Sequence, residues 1–155
     1  MAEPGVKAEV SAIDTTKDRY MTFNIDSEEY GLEISSVKEI IEMVPITHVP
    51  ESPEFVEGII NLRGDIIGVL DVRKRFCKDP IPYNEQTCII VVEHCDYTLG
   101  LIVDSVNEVM TINEENISPP PSAKINHYNQ YIRSIGQVEN EVVLLLDLEK
   151  LLLLE

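Results

Sequence analysis

Apolar and polar positions alternate along most of the 155-residue chain, in short runs closed by turn-forming residues. "YMTFNI" (20–25) and "EYGLEI" (29–34), joined by "DSE", predict a β-hairpin. "VKEIIEMV" (37–44) is rich in branched residues and runs into "PITHVPESPEF", where three prolines interrupt it. "GIINL" (58–62) and "DIIGVLDV" (65–72) flank a turn containing Arg63 and Gly64, and their apolar character on both faces predicts strands covered on both sides. "TCIIVVEH" (87–94) and "YTLGLIVDSVNEVMTI" (97–112) add two or three strands, and "YIRSIGQV" (131–138) with "EVVLLLD" (141–147) a last hairpin. Helical spacing is confined to "PEFVEG", "DVRKRF" and "DLEKLLLL". Residues 1–18 are polar and mixed and are expected to form a flexible tail, and "ISPPPS" a second proline-rich loop.

The chain also matches itself. Residues 31–40, "GLEISSVKEI", align with 100–109, "GLIVDSVNEV", at an offset of 69. Further on the offset becomes 76, so that Phe55 meets Tyr131, Ile66 and Ile67 meet Val142 and Val143, and Leu70, Asp71 and Lys74 meet Leu146, Asp147 and Lys150. The extra residues fall in the second proline-rich loop, where insertions are tolerated. This is the signature of one unit used twice, each copy about 60 residues and five short strands. So small a β unit closes most easily as a barrel, because closure removes sheet edges. The expected fold is all-β: two packed five-stranded, SH3-like barrels with short helices, over about 19–85 and 86–153, with exchanged end strands and one 19–155 domain. A single open sandwich is the alternative.

Composition narrows the function. Twenty-eight acids against twelve lysines and arginines give a net charge of −16, which opposes binding to nucleic acid or to an anionic membrane surface. The N-terminus has no apolar run, and the leucine-rich C-terminus is broken by charges and too short to span a bilayer, so a cytoplasmic protein is expected. Cys77, Cys88 and Cys95 match no metal or redox spacing. His48, His94 and His127 lie in unrelated contexts, no glycine-rich phosphate loop occurs, and no pair of carboxylates stands out, so neither catalysis nor a cofactor nor a metal is expected. Five of the twelve basic residues fall between 63 and 78. Arg73 to Arg75 read as solvating a helical turn. Arg63 differs: Gly64 supplies the positive-φ position, and a purely structural turn would be better served by Asn-Gly. Arg63 either folds back onto a carboxylate of its own domain or faces a partner.

"YGLEISSVKEII", "VPESPEFVEGIINLRGDIIGVLDVRKRF", "GLIVDSVNEV" and "LLLDLEKLL" together resemble the CheW family, the coupling proteins of bacterial chemotaxis, over residues 19 to 153. The resemblance implies a non-enzymatic adaptor of two small barrels. It would bind the histidine kinase CheA through that kinase's CheW-like regulatory domain, and the cytoplasmic tip of chemoreceptors, and so be recruited to membrane-associated arrays. Carried over by motif, the receptor-facing residues would be Val37, Glu39, Gly58 and Arg63, with Gly100 and Val109 near the groove between barrels. Cys88 would mark the kinase-facing surface on the second barrel. The alternatives are a CheW-like modulator of another sensory kinase, or a double barrel that binds a small molecule.

Overall fold

The computed structural model describes residues 18–120 and 130–153. The expected tail lies outside them apart from Asp18, as does most of the segment between the second prolines and Tyr131, His127 included. Among the described residues, β1 (Arg19–Ile25) and β2 (Glu28–Glu33) form the first hairpin, and a 3-10 turn (Ile34–Ser36) leads into β3 (Val37–Glu42). Next come β4 (Val56–Leu62), β5 (Asp65–Asp71) and the single-turn helix α1 (Val72–Arg75). The second half follows with β6 (Cys88–His94), β7 (Tyr97–Val103), β8 (Ser105–Thr111), β9 (Ile117–Ser118), β10 (Ile132–Val138), β11 (Glu141–Leu146) and α2 (Leu148–Leu152).

The strands form two sheets, ordered β3-β6-β7-β5-β4 and β8-β1-β2-β11-β10-β9. Neither sheet is contiguous in sequence. β2 pairs in parallel with β11 (Tyr30 opposite Leu144, Gly31 opposite Leu145), and β7 pairs in parallel with β5 (Leu99 opposite Gly68, Gly100 opposite Val69). Under the two repeat offsets these seams are one seam seen twice. Each repeat therefore hands its central strands to the other, and the chain changes sheet at Ile34–Ser36 and at Asp104.

Closure is repeated too. Beyond β3 the chain returns to β4, where Thr47 and Ile59 exchange both backbone hydrogen bonds at 2.9 Å. In the other sheet β9 performs the same closure, Ser118 opposite Ile135, the residue that matches Ile59. This two-residue strand is the sixth member of its sheet.

Burial follows from the alternation. Ile60, Ile67, Val69, Ile89, Val91 and Ile102 fill one sheet's interior, and Tyr20, Ile112, Val143 and Leu145 fill the other's. The opposite faces (Phe23, Ile25, Tyr30, Leu32, Leu70, Ile90, Val92, Leu101, Val103) meet in a shared core with Phe76 and Tyr131. Each central strand thus has two dry faces, which is why these runs read as continuously apolar. Ile66 and Val142 are exceptions: each stands near the start of its strand and stays exposed, at 60% and 54%, and Ile66 does so against the expectation of cover on both sides. "PEFVEG" is not helical. Val56 closes a turn by donating to the Pro53 carbonyl and then enters β4, whose ladder with β5 outcompetes a helical spacing too short to nucleate.

The helices begin alike: Asp71 accepts from the Lys74 N–H at 3.3 Å, and Asp147 from the Lys150 N–H at 3.2 Å, each an N-cap. They continue differently. Arg73 and Arg75 are buried rather than solvated. Arg73 Nη1 contacts Asp104 Oδ2 at 2.6 Å and Asp26 Oδ1 at 2.7 Å, and its Nε donates to the Asp79 carbonyl at 3.0 Å. Arg75 lies 4.0 Å from the ring centre of Phe55 and 5.0 Å from that of Tyr131. Its Nε donates to the Leu151 carbonyl at 3.0 Å, and Nη2 reaches the carbonyls of Lys150 and Leu153 at the end of α2. The sequence signal was ambiguous because a buried arginine paired with carboxylates and carbonyls has the same local context as a solvated one.

Two outcomes are expected. Cutting the chain between residues 82 and 86 should leave neither half folded, because each parallel seam needs a strand from both halves; a cooperative unfolding transition of residues 19–82 alone would contradict this. Asp26 supplies the second. Burial acts to raise its carboxyl, but the Arg73 hydrogen bond and charge, aided by Lys78, hold it below the ordinary 3.8. A lowered folded-state value contributes stability at pH above 3.8 that is lost as pH falls through it. Asp26→Asn should therefore lower the urea midpoint near neutrality and flatten its acid limb, with the two curves converging once pH has fallen through the folded-state value.

Candidate interaction site

The β4–β5 hairpin ends in a two-residue turn, Leu62 opposite Asp65, with Arg63 and Gly64 at its tip. Both tip residues have positive φ, +52° for Arg63 and +95° for Gly64. The sequence assigned that conformation to Gly64 alone. A type I′ turn requires it at both positions, and its twist matches that of the flanking strands. An L-residue with a long side chain gives up roughly 1–2 kcal/mol in this region. Arg63 stands where asparagine would be favoured, and Asn61 braces the turn by accepting the Gly64 N–H at 2.8 Å.

Arg63 does fold back. Its Nη2 pairs with Glu39 Oε2 on β3, the strand that barrel closure brings round towards β4. The pairing does not hide it: the side chain remains 67% exposed. An exposed ion pair is worth about 0–1 kcal/mol, no more than the turn conformation costs. The arrangement fixes a guanidinium at the surface rather than stabilising the fold. Around it, Lys38, Asp65, Ile66, Asp96 and Tyr97 line one shallow depression. Tyr97 is 72% exposed, so with Ile66 it offers apolar surface beside charge, the composition of an interaction site.

The other sequence-selected residues do not share this depression. Val37, two residues before Glu39, is half-buried and packs on the shared core. Gly58 is buried at a register shift in β4 with φ +149°, and a Cβ there would stand 2.1 Å from the Thr47 carbonyl oxygen, so it serves barrel closure. Gly100 is buried in mid-β7 against Ile89. Val109 lies on β8 in the other sheet, opposite Met21. Cys88 opens β6, half-buried between Glu42 and Val103, and burial pushes its thiol pKa up, which keeps it protonated and unreactive. Ile66 and Tyr97 were missed by sequence reading. Sequence held no signal for them: Ile66–Ile67 and Val142–Val143 each stand near the start of a strand, and only the structure shows that the second of each pair alone is buried. Among the described residues no cluster of histidine, cysteine or carboxylate side chains could hold a metal ion, and no helix is long and apolar enough to cross a membrane.

Two exchanged, pseudo-symmetric β subdomains carry a surface of fixed charge and exposed apolar side chains, the make-up of an interaction module. Residues 19–155 match the CheW-like domain model, and the chain belongs to that family. It is 32% identical over 139 residues to a chemotaxis protein CheW of Klebsiella aerogenes, covering 90% of this chain and 84% of that one. It is 30% identical over 142 residues to a probable chemotaxis protein CheW of Rhizobium etli, covering 92% of each. The crystal structure of the scaffolding protein TtCheW from Thermoanaerobacter tengcongensis superposes with a TM-score of 0.79 at 39% identity, over 86% of this chain and 91% of that one. The chain is thus a chemotaxis scaffold of the CheW class.

The geometry separates fold from site at two neighbouring positions. Gly58→Ala should cost more than about 2 kcal/mol, since both the backbone conformation and the Thr47 carbonyl exclude a methyl group. Arg63→Asn should melt at or slightly above the parent, because it removes a strained residue and a weak ion pair. Differential scanning calorimetry of the two variants checks both; a clear destabilisation by Arg63→Asn would make the arginine a structural residue.

Proposed function

We propose that this protein couples chemoreceptors to the histidine kinase CheA within membrane-associated signalling arrays, holding both partners and performing no chemistry. Receptor recognition is centred on Arg63 and Glu39 and extends to Val37, Gly58, Gly100 and Val109. The kinase's CheW-like domain binds elsewhere, towards Cys88 and the second subdomain. The observation that carries this reading is the Arg63 turn: a charged residue kept, oriented and exposed at a position where the backbone favours another. Tyr97 and Ile66 beside it supply the apolar area that an amphipathic receptor helix would cover. Among the other proposed residues, Val37, Gly58 and Gly100 would act by shaping the surface, since each is wholly or partly buried.

Arg63→Asn is the test, because it leaves the turn intact. The purified variant should bind the kinase as the parent does, yet lose receptor pull-down by roughly tenfold or more, the loss of a central interface arginine. It should also fail to raise receptor-dependent kinase autophosphorylation. Arg63→Glu should be worse than Arg63→Asn if a receptor carboxylate is the target, and similar if the target is a carbonyl. Unchanged receptor binding by a well-folded Arg63→Asn would refute this reading.

A further inference from the structure

The two copies treat one position in opposite ways. In the first, the Arg73 side chain is only 8% exposed and bridges the β1–β2 turn and the β7–β8 crossover through Asp26 and Asp104. Under the repeat offsets its equivalent is Glu149, while Asp26 and Asp104 become Cys95 and Ser35, so neither the cation nor its acids are kept. Glu149 is exposed where Arg73 is buried. Beside these equivalents the second copy has a depression of about 220 Å³. His94 and Ser36, the chain neighbours of Cys95 and Ser35, line it together with Glu149.

One atom of its wall lacks a partner. His94 Nε2 is buried and makes no hydrogen bond among the described residues. An imidazole protonated at Nδ1 presents Nε2 as an acceptor, and a buried acceptor is complemented by an N–H donor. Three carboxylates, Glu33, Asp147 and Glu149, and one base, Arg133, share the lining. Arg133 already pairs with Glu33 at 3.0 Å, so those two charges offset each other. Asp147 Oδ1 accepts from the Lys150 N–H at 3.2 Å, which leaves the charges of Asp147 and Glu149 to be balanced. Leu32, Leu146 and Leu148 supply an apolar wall, the kind of surface on which the methylene stem of a long basic group lies.

We propose that this depression is a binding site for a guanidinium carried on a short methylene stem. The planar fork donates to His94 Nε2 and to the carboxylates of Asp147 and Glu149, and the stem lies on the leucines. The ligand restores in the second copy the cation that Arg73 provides in the first. It joins β6 of one sheet to β2 and α2 on the other, and it shares no lining residue with the depression around Arg63. A guanidinium is preferred to an ammonium because its fixed fork serves several acceptors at once and is more weakly hydrated.

The experiment titrates the isotopically labelled full chain with butylguanidinium, butylammonium and butyrate at millimolar concentrations and constant ionic strength. Butylguanidinium should shift the amides of residues 32–36, 94–95 and 146–149 and the ring nitrogens of His94, while butylammonium binds several-fold more weakly. N-acetylarginine methylamide identifies the source: binding at least as tight as that of butylguanidinium assigns the site to an arginine of a polypeptide, weaker binding to a free small cation. His94→Ile, which follows the first copy's Ile25, should weaken binding roughly tenfold with an otherwise parental spectrum. Glu149→Arg should abolish it, because the second copy then carries its own cation, and Arg63→Ala should leave it unchanged. Shifts spread over the acidic surface and equal for both cations, a response of the same residues to butyrate, or no response would each overturn the proposal.

Discussion

The exchange of parallel strands between the two repeats is the constraint from which the rest follows. A unit of about 60 residues buries too little surface to stand alone. Here each unit completes its sheet only by accepting a strand from the other: β2 lies beside β11 and β7 beside β5. The same exchange turns one face of every central strand towards the neighbouring subdomain, so the shared core around Phe23, Tyr30, Phe76 and Tyr131 is part of both. The aromatic rings run through it in a series, with centroid separations of 5.8, 5.2 and 5.6 Å. Separation of the subdomains is therefore not a rigid-body movement but unfolding, and a surface built across them is held as firmly as the core.

An internal duplication creates a problem at its own centre, where equivalent residues approach each other. Two arginines there would repel, and two leucines would leave the carbonyls at the ends of both single-turn helices without donors. The chain breaks the symmetry instead. Arg75 donates to the carbonyl of Leu151, its own repeat equivalent, and stacks near both Phe55 and Tyr131, which are equivalents of one another. One copy thus supplies the cation and the other the acceptors. Arg73 reaches both copies, tying α1 to the β7–β8 crossover of the other through Asp104 and to the β1–β2 turn of its own through Asp26.

How far the sequence could be read follows from the same physics. The strands were legible because a strand with two dry faces is an unbroken apolar run. The duplication was legible because the two seams need the same small residues at the same register, Gly31 and Gly100. The burial of Arg73 and Arg75 was not legible, since their partners lie 31 and 76 residues away. The site divides the same way. Arg63 stood out because it conflicts with the chemistry of its own turn, a local and therefore readable signal. Ile66, Tyr97 and Val142 did not, because an exposed branched or aromatic residue at a strand opening looks like a buried one until the splay of the seams is known.

That splay links architecture to recognition. Parallel strands are not joined by a hairpin, so nothing ties their openings together, and each seam spreads ahead of its first paired residues. In an ordinary antiparallel barrel those ends would be sealed by tight turns. Here each becomes a concave mouth beside a hairpin tip, Arg63–Gly64 in one case and Glu139–Asn140 in the other. The tips bear little of the fold's stability, so their charges are free to differ, while the mouths inherit a common shape from the repeated seam. Duplication thereby supplies one scaffold with two surfaces of like geometry and unlike charge.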